Sequence, residues 1–120
     1  METYKLGEME EKFAELIWAN APVGSGELTK LCEKEFAWKR TTTYTMLKRL
    51  CQRNLFENDY GTVKVLMSRE EFEAAKGEQF LEENFDGSLP KFLVAFSRRK
   101  KLNSQEVEEL KRLIESYEEE

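Results

Sequence analysis

The sequence contains no histidine, which removes the commonest general base and the commonest zinc ligand. Cysteine is nearly as scarce. Cys32 and Cys51 are the only two, and neither has neighbours that could complete a metal site. That usage is the pattern of a reduced, cytoplasmic location. No apolar run approaches the ~20 residues needed to span a bilayer, and the first residues lack the apolar stretch of a secretion signal. No membrane insertion is therefore expected. No nucleophile–base pair replaces the missing histidine, so the residues imply no enzyme, no catalytic residue, no metal and no cofactor.

What is present suits one small domain or two very small ones: 120 residues, 40% hydrophobic and 36% charged. The chain is too apolar to be disordered and too polar to enclose an enzyme-sized cavity. Its net charge is −5, from 24 acids and 19 bases, but the charge is unevenly spread. Between Ala37 and Phe56 stand five bases (Lys39, Arg40, Lys48, Arg49, Arg53) and no acid. Local charge, rather than the total, decides whether a surface can neutralise phosphates. A second basic run, Arg98 to Lys101, reads as a solvated face, and four glutamates fall in the last six residues.

Apolar residues at Met9, Phe13, Leu16 and Ile17 make one stripe of an amphipathic helix from Leu6 to Asn20. Ala21-Pro22-Val23-Gly24 stops it, and Ser25 is placed to cap a second helix with Leu28, Leu31, Cys32 and Phe36 on one face. A third helix is expected from Arg40 or Thr41 to about Arg53. Three short helices in such a span form a helix-turn-helix unit. Leu55-Phe56-Glu57 and Val63 to Met67, separated by Asp59-Tyr60-Gly61, read as a two-stranded hairpin or wing.

Beyond the wing, Ser68-Arg69-Glu70-Glu71 is a capping box that opens a helix to about Asn84. Ser88-Leu89-Pro90 begins another, striped by Leu89, Phe92, Leu93 and Phe96. A further box, Asn103 to Glu106, opens a last helix with Val107, Leu110, Leu113, Ile114 and Tyr117. Roughly fifty residues with three apolar stripes bury too little surface alone. They can fold back on the N-terminal part or pair with a second copy, and symmetric pairing is the economical solution. The expected architecture is mainly α with a small β-hairpin. Residues 1–68 would form a winged helix-turn-helix DNA-binding domain and 69–120 a three-helix dimerisation domain, with Phe92, Leu93, Phe96, Leu110 and Ile114 at the dimer interface.

On a helical wheel, Thr43, Met46, Leu47 and Leu50 of the third helix share one side, with Cys51 at its edge. Thr41, Thr45, Lys48 and Gln52 lie opposite, flanked by Thr42 and Arg49 on one edge and Tyr44 on the other. Hydroxyls, an amide and cations are what a helix uses in a major groove. A merely solvated face would mix glutamate with lysine for i,i+4 pairing, and here acids are absent. Lys39 and Arg40 sit at the helix N-terminus, where backbone amides favour a phosphate. In the wing, Lys64 is opposed by Glu57 and Asp59, so the wing is expected to position rather than to specify.

Leu6-Gly7-Glu8-Met9-Glu10 through Leu16-Ile17-Trp18, the segment Thr41-Thr42-Thr43-Tyr44-Thr45-Met46-Leu47-Lys48-Arg49-Leu50, and the C-terminal Ser88-Leu89-Pro90, Phe92 to Phe96 and Ser104 to Leu110 together resemble the penicillinase-repressor family, which includes the methicillin-resistance and copper-responsive repressors. The resemblance covers nearly the whole chain. It implies a bacterial, homodimeric transcriptional repressor that binds an inverted-repeat operator in double-stranded DNA, with contacts on Thr41, Thr42, Tyr44, Thr45 and Arg49. Asn54 stands where many members have the glycine that ends the recognition helix, and asparagine tolerates the left-handed conformation. The copper-responsive branch carries a C-terminal cysteine cluster, whereas this chain ends Tyr117-Glu118-Glu119-Glu120. In penicillin-responsive relatives a membrane sensor protease leads to cutting at an Asn-Phe bond. The matching bond here is Ala95-Phe96, so a regulatory protease, if one acts, would be a different one.

Two other classes compete. A winged helix can serve as a protein-interaction module, to which an acidic chain would suit a basic partner. It can also sense a small molecule, held here among Phe80, Phe85, Phe92 and Phe96, although core packing explains those rings more simply.

Overall fold

The computed structural model describes residues 4–118, so Glu119 and Glu120 of the terminal acidic run lie outside the described residues. The element order is α1 (Glu8–Asn20), β1 (Val23–Gly24), α2 (Ser25–Phe36), α3 (Arg40–Gln52), β2 (Phe56–Asp59), β3 (Thr62–Val65), α4 (Arg69–Asn84), α5 (Leu89–Arg99) and α6 (Ser104–Glu118). The architecture is mostly helical with one small antiparallel sheet, as a winged helix followed by a helical segment requires. The chain divides into two compact units between Gln79 and Phe80, inside α4, and not at the 68/69 junction suggested by the capping box. The reason is Phe72. It is only 1% exposed and packs its ring 5.6 Å from Trp18 and 6.2 Å from Tyr4, so the opening turn of α4 belongs to the N-terminal core.

In the first unit α1 buries Phe13, Ala14 and Ile17, α2 buries Leu28 and Cys32, and α3 buries Leu47 and Leu50. Leu55, Phe56 and Val63 from the sheet side close this core. Met9, expected on the inner stripe of α1, lies in its first turn and is 39% exposed. The connection from α2 to α3 is Ala37-Trp38-Lys39. Ala37 takes the left-handed conformation (φ 57°), and Trp38 anchors the turn with its ring 5.2 Å from Phe13 and 4.9 Å from Phe36.

The sheet has three strands in the order β1-β3-β2, not the two of a simple hairpin. Val23 and Gly24 pair with Val63 and Thr62. Two residues cannot display a strand period, so this strand has no signature in the sequence. Ser25 is the first residue of α2 and Gly24 its N-cap, which corrects the capping role expected of the serine; its amide donates instead to the Gly61 carbonyl (2.8 Å). Tyr60 and Gly61 form the wing turn with φ 49° and 92°, the double positive φ of a type I′ hairpin. The wing strand ends at Val65, and Leu66 is half exposed. At the end of α3, Asn54 adopts φ 62°, with Asn54 N–H donating to Cys51 O (3.0 Å) and Leu55 N–H to Leu50 O (3.3 Å). This is a Schellman closure, sealed by the buried pair Leu50 and Leu55.

The caps read from the sequence for α4, α5 and α6 form as expected. Ser68 Oγ accepts from Glu71 N–H (3.0 Å) while Glu71 accepts from Ser68 N–H (2.9 Å), and these bonds hold the Glu71 carboxyl below its usual pKa. Ser88 caps α5 through Lys91 N–H (3.1 Å), and Asn103 and Glu106 close the box of α6. In the second unit Phe92 lies 5.4 Å from Phe85 and 5.5 Å from Phe96, yet no residue of α5 or α6 is fully buried.

Alanine carries a steric cost in the left-handed region that glycine does not. Ala37→Gly is therefore expected to stabilise the first unit by up to ~1 kcal/mol, net of glycine's greater freedom in the unfolded chain. Denaturant unfolding measures it, as a higher midpoint at unchanged slope.

Candidate nucleic-acid interface

Packing of α3 onto the core settles which of its faces is outside. Thr43, Leu47 and Leu50 are buried, and Met46 and Cys51 are half-buried. At 3.6 residues per turn the remaining positions must face away. Thr41, Thr42, Thr45, Lys48, Arg49 and Gln52 are all exposed, as are Lys39 at the N-cap and Arg40 in the first turn. Lys39 makes no side-chain cap, and the first turn of α3 holds no acid.

Among the described residues the cations of this face have no carboxylate partners. Ion pairs among the described residues engage Lys12, Lys64, Arg69, Lys76 and Lys91, and none involves Lys39, Arg40, Lys48 or Arg49. Arg49 reaches only the Met46 sulfur (3.7 Å). Arg53 is different: it is half-buried and donates to the Lys5 carbonyl, so this base of the acid-free stretch serves the fold. The Thr45 hydroxyl donates to Thr41 O (2.9 Å), leaving its methyl and lone pairs outward.

Tyr44 is half-buried at the rim and turned inward. Its hydroxyl donates to Ser25 Oγ (3.2 Å), and the Arg40 guanidinium carbon stands 5.7 Å from its ring centroid. On ionisation the Ser25 hydroxyl can turn to donate to the phenolate, and this bond, and then the neighbouring arginine, lower the pKa of the phenol. Lys64 in the wing pairs with Asp59 (2.8 Å), a contact that raises the pKa of its ammonium and leaves the wing with little free positive charge. Between α3 and β2 lies an open groove of about 430 Å³ lined by Tyr44, Leu47, Lys48, Cys51 and Asn58. Asn58 and Ser25 had no signal in the sequence, because only the fold brings them beside α3.

The second unit holds its own apolar groove, of about 360 Å³, whose lining includes Leu93, Phe96, Leu102, Leu110 and Leu113. Phe92 belongs instead to an aromatic cluster with Phe80 and Phe85, at ring separations of 6.1 and 5.4 Å. These rings pack on one another and do not line that groove. Ile114 is 57% exposed. The Ala95-Phe96 bond lies within α5. Among the described residues no group of three or more acids or cysteines could hold a metal ion, and no helix is long and apolar enough to cross a membrane.

A helix-turn-helix whose second helix presents a polar, basic face, followed by an antiparallel hairpin, defines a winged-helix domain. The sequence profile of the penicillinase repressor family matches residues 6–116, almost the whole chain. A penicillinase repressor from Bacillus licheniformis is 24% identical over 117 residues, covering 94% of this chain and 91% of that protein. The chain belongs to the penicillinase repressor family, a family of transcriptional repressors.

The two thiols provide a check on this geometry. Cys32 is 0% exposed and Cys51 lines the groove; burial is the main cause raising both pKa values above the ordinary 9.0. Iodoacetamide is expected to modify Cys51 first, at a rate still climbing as pH approaches and passes that value, and Cys32 only on unfolding. Mass spectrometry of the time course decides it, and equal rates at both sites would contradict the structure.

Proposed function

We propose that the protein is a homodimeric transcriptional repressor that binds an inverted-repeat operator in double-stranded DNA, with α3 in the major groove. The observation that carries this reading is the outer face of α3: acid-free, with four cations lacking carboxylate partners among the described residues, in a chain whose net charge is −5. Membership of the repressor family supports it. Arg49, two turns into α3, is assigned to a guanine edge, and Thr41, Thr42, Thr45 and Lys48 to bases or adjoining phosphates. Lys39 and Arg40 take a phosphate at the helix N-terminus, and Lys64 a weaker backbone contact from the wing.

Pairing of two copies is assigned to the second unit. Phe96, Leu113, Ile114 and Tyr117 are 37, 54, 57 and 69% exposed, a run of apolar surface on α5 and α6 that a second copy would cover. Phe92, Leu93 and Leu110 complete the proposed interface. Release of repression by a different protease or signal, without a cut at Ala95-Phe96, is part of the same reading.

With Arg53 committed to the fold and Arg49 to a base, Lys39, Arg40 and Lys48 give a dimer about six phosphate contacts, so log K should fall with log salt at a slope of about −5. Duplexes selected from a random pool supply the ligand; a slope near zero on every one would sink the DNA reading in favour of a protein-interaction module. Arg49→Ala should cost about 1–3 kcal/mol and relax one position in each half-site, whereas Lys39→Ala should weaken all sequences alike. Base-preference profiles of the two variants check the division of roles, and the opposite pattern reverses it. Ile114→Glu adds a charge at a site already exposed in the single chain, so it should leave the protomer folded and convert a dimer to monomer. Sedimentation of the full chain reads this, and a wild-type monomer at micromolar concentration contradicts the dimer.

A further inference from the structure

Tyr44 lies in the recognition helix, among residues that would face DNA, yet its polar atom is engaged within the protein. The phenol proton is donated to Ser25 Oγ (3.2 Å), and the side chain is half-buried. Ser25 in turn is held from the wing: its amide donates to the carbonyl of Gly61 (2.8 Å). Gly61 adopts φ 92°, open to glycine and strained for other residues, as the hairpin turn requires. On the other side of Tyr44, Arg40 lies over the ring at 5.7 Å from its centroid. A continuous series of contacts thus runs from the wing turn through the start of α2 to the first turn of α3. It ends on a cation that no carboxylate among the described residues engages.

We infer that Tyr44 is a positioning residue, which ties the recognition helix to Ser25 beside the wing turn and presets the Arg40 guanidinium for a DNA phosphate, and does not itself read a base. The inference rests on the DNA reading above and goes beyond it, because a contact role for Tyr44 would require the hydroxyl to turn outward. An arginine held over an aromatic face loses less freedom when it meets a phosphate, and the gain appears as affinity on every sequence. Ser25 becomes a functional residue although it touches no DNA. Its hydroxyl can be removed cleanly, since the backbone bond to Gly61 does not need it.

The test uses the full-length protein, a duplex selected by the wild type from a random pool, and that duplex with each base pair replaced in turn. Tyr44→Phe and Ser25→Ala each delete one hydroxyl and leave packing in place. Each is expected to weaken binding about 3- to 10-fold on all the duplexes alike, and the double variant no more than either single one. Arg40→Gln should weaken binding and flatten the salt slope by about 2 per dimer, and adding Tyr44→Phe to it should cost nothing further. A purely structural tyrosine would instead add its loss to that of Arg40→Gln, and that additivity would overturn the inference. So would a change of preferred base at one position in Tyr44→Phe with Ser25→Ala silent, which would make the phenol a reader. Failure of the wild type to select or bind any duplex would remove the DNA reading itself, and the inference with it.

Discussion

The strip of α3 formed by Thr43, Leu47 and Leu50 must be buried against α1, α2 and the sheet side, and most of what matters in this molecule follows from that. A helix that buries one third of its circumference has no choice about what it shows on the rest. Burial of the two leucines contributes on the order of 1.5–3 kcal/mol each, enough to fix the rotation of α3. Thr43 has a cost attached: its buried hydroxyl makes no hydrogen bond of normal geometry. It lies beside the Cys32 thiol and offsets part of the rise that burial imposes there.

Electrostatics then act on a surface that packing has already chosen. Overall the chain repels polyanions, and only a local segregation of charge can reverse this at short range, since screening limits interactions to about a Debye length of 8–10 Å. The segregation is visible in the ion pairs: Lys12, Arg69 and Lys76 engage glutamates at the start of α1, within α1 or within α4, while the cations of α3 are left available. The wing departs from this plan. The Lys64–Asp59 pair engages its cation, whereas those of α3 stay unpaired among the described residues.

The second unit has well-capped helices but no fully buried residue in α5 or α6. Its helices α5 and α6 each start with a well-formed cap, worth about 1 kcal/mol, and each carries an apolar stripe. Caps define where helices begin without supplying a core. The contrast with the first unit, whose core contains Phe13, Ile17, Leu28 and Phe56 at 0% exposure, is what gives the two units their different physical character.

Local features were legible in the sequence because their causes are local. The start of α3 at Arg40, the capping boxes at Ser68 and Asn103, the Ser88 cap, the left-handed Asn54 and the inner face of α3 all depend on residues within a turn or two of one another. The composition of the outer face of α3 belongs to the same class, since it follows from helical periodicity once the buried strip is known. Other features were decided only by tertiary structure. Val23 and Gly24 form a strand because β3 lies beside them, not because their sequence demands one. Arg53 bonds a carbonyl 48 residues away, and Tyr44 bonds a serine 19 residues away. Phe72 joins a core that precedes it in sequence by whole elements. Periodicity and caps record what neighbours along the chain do to each other, whereas these contacts join groups whose separation is set by the packing of intervening helices. That packing alone determined that Arg53 would serve the fold and that Tyr44 would turn inward.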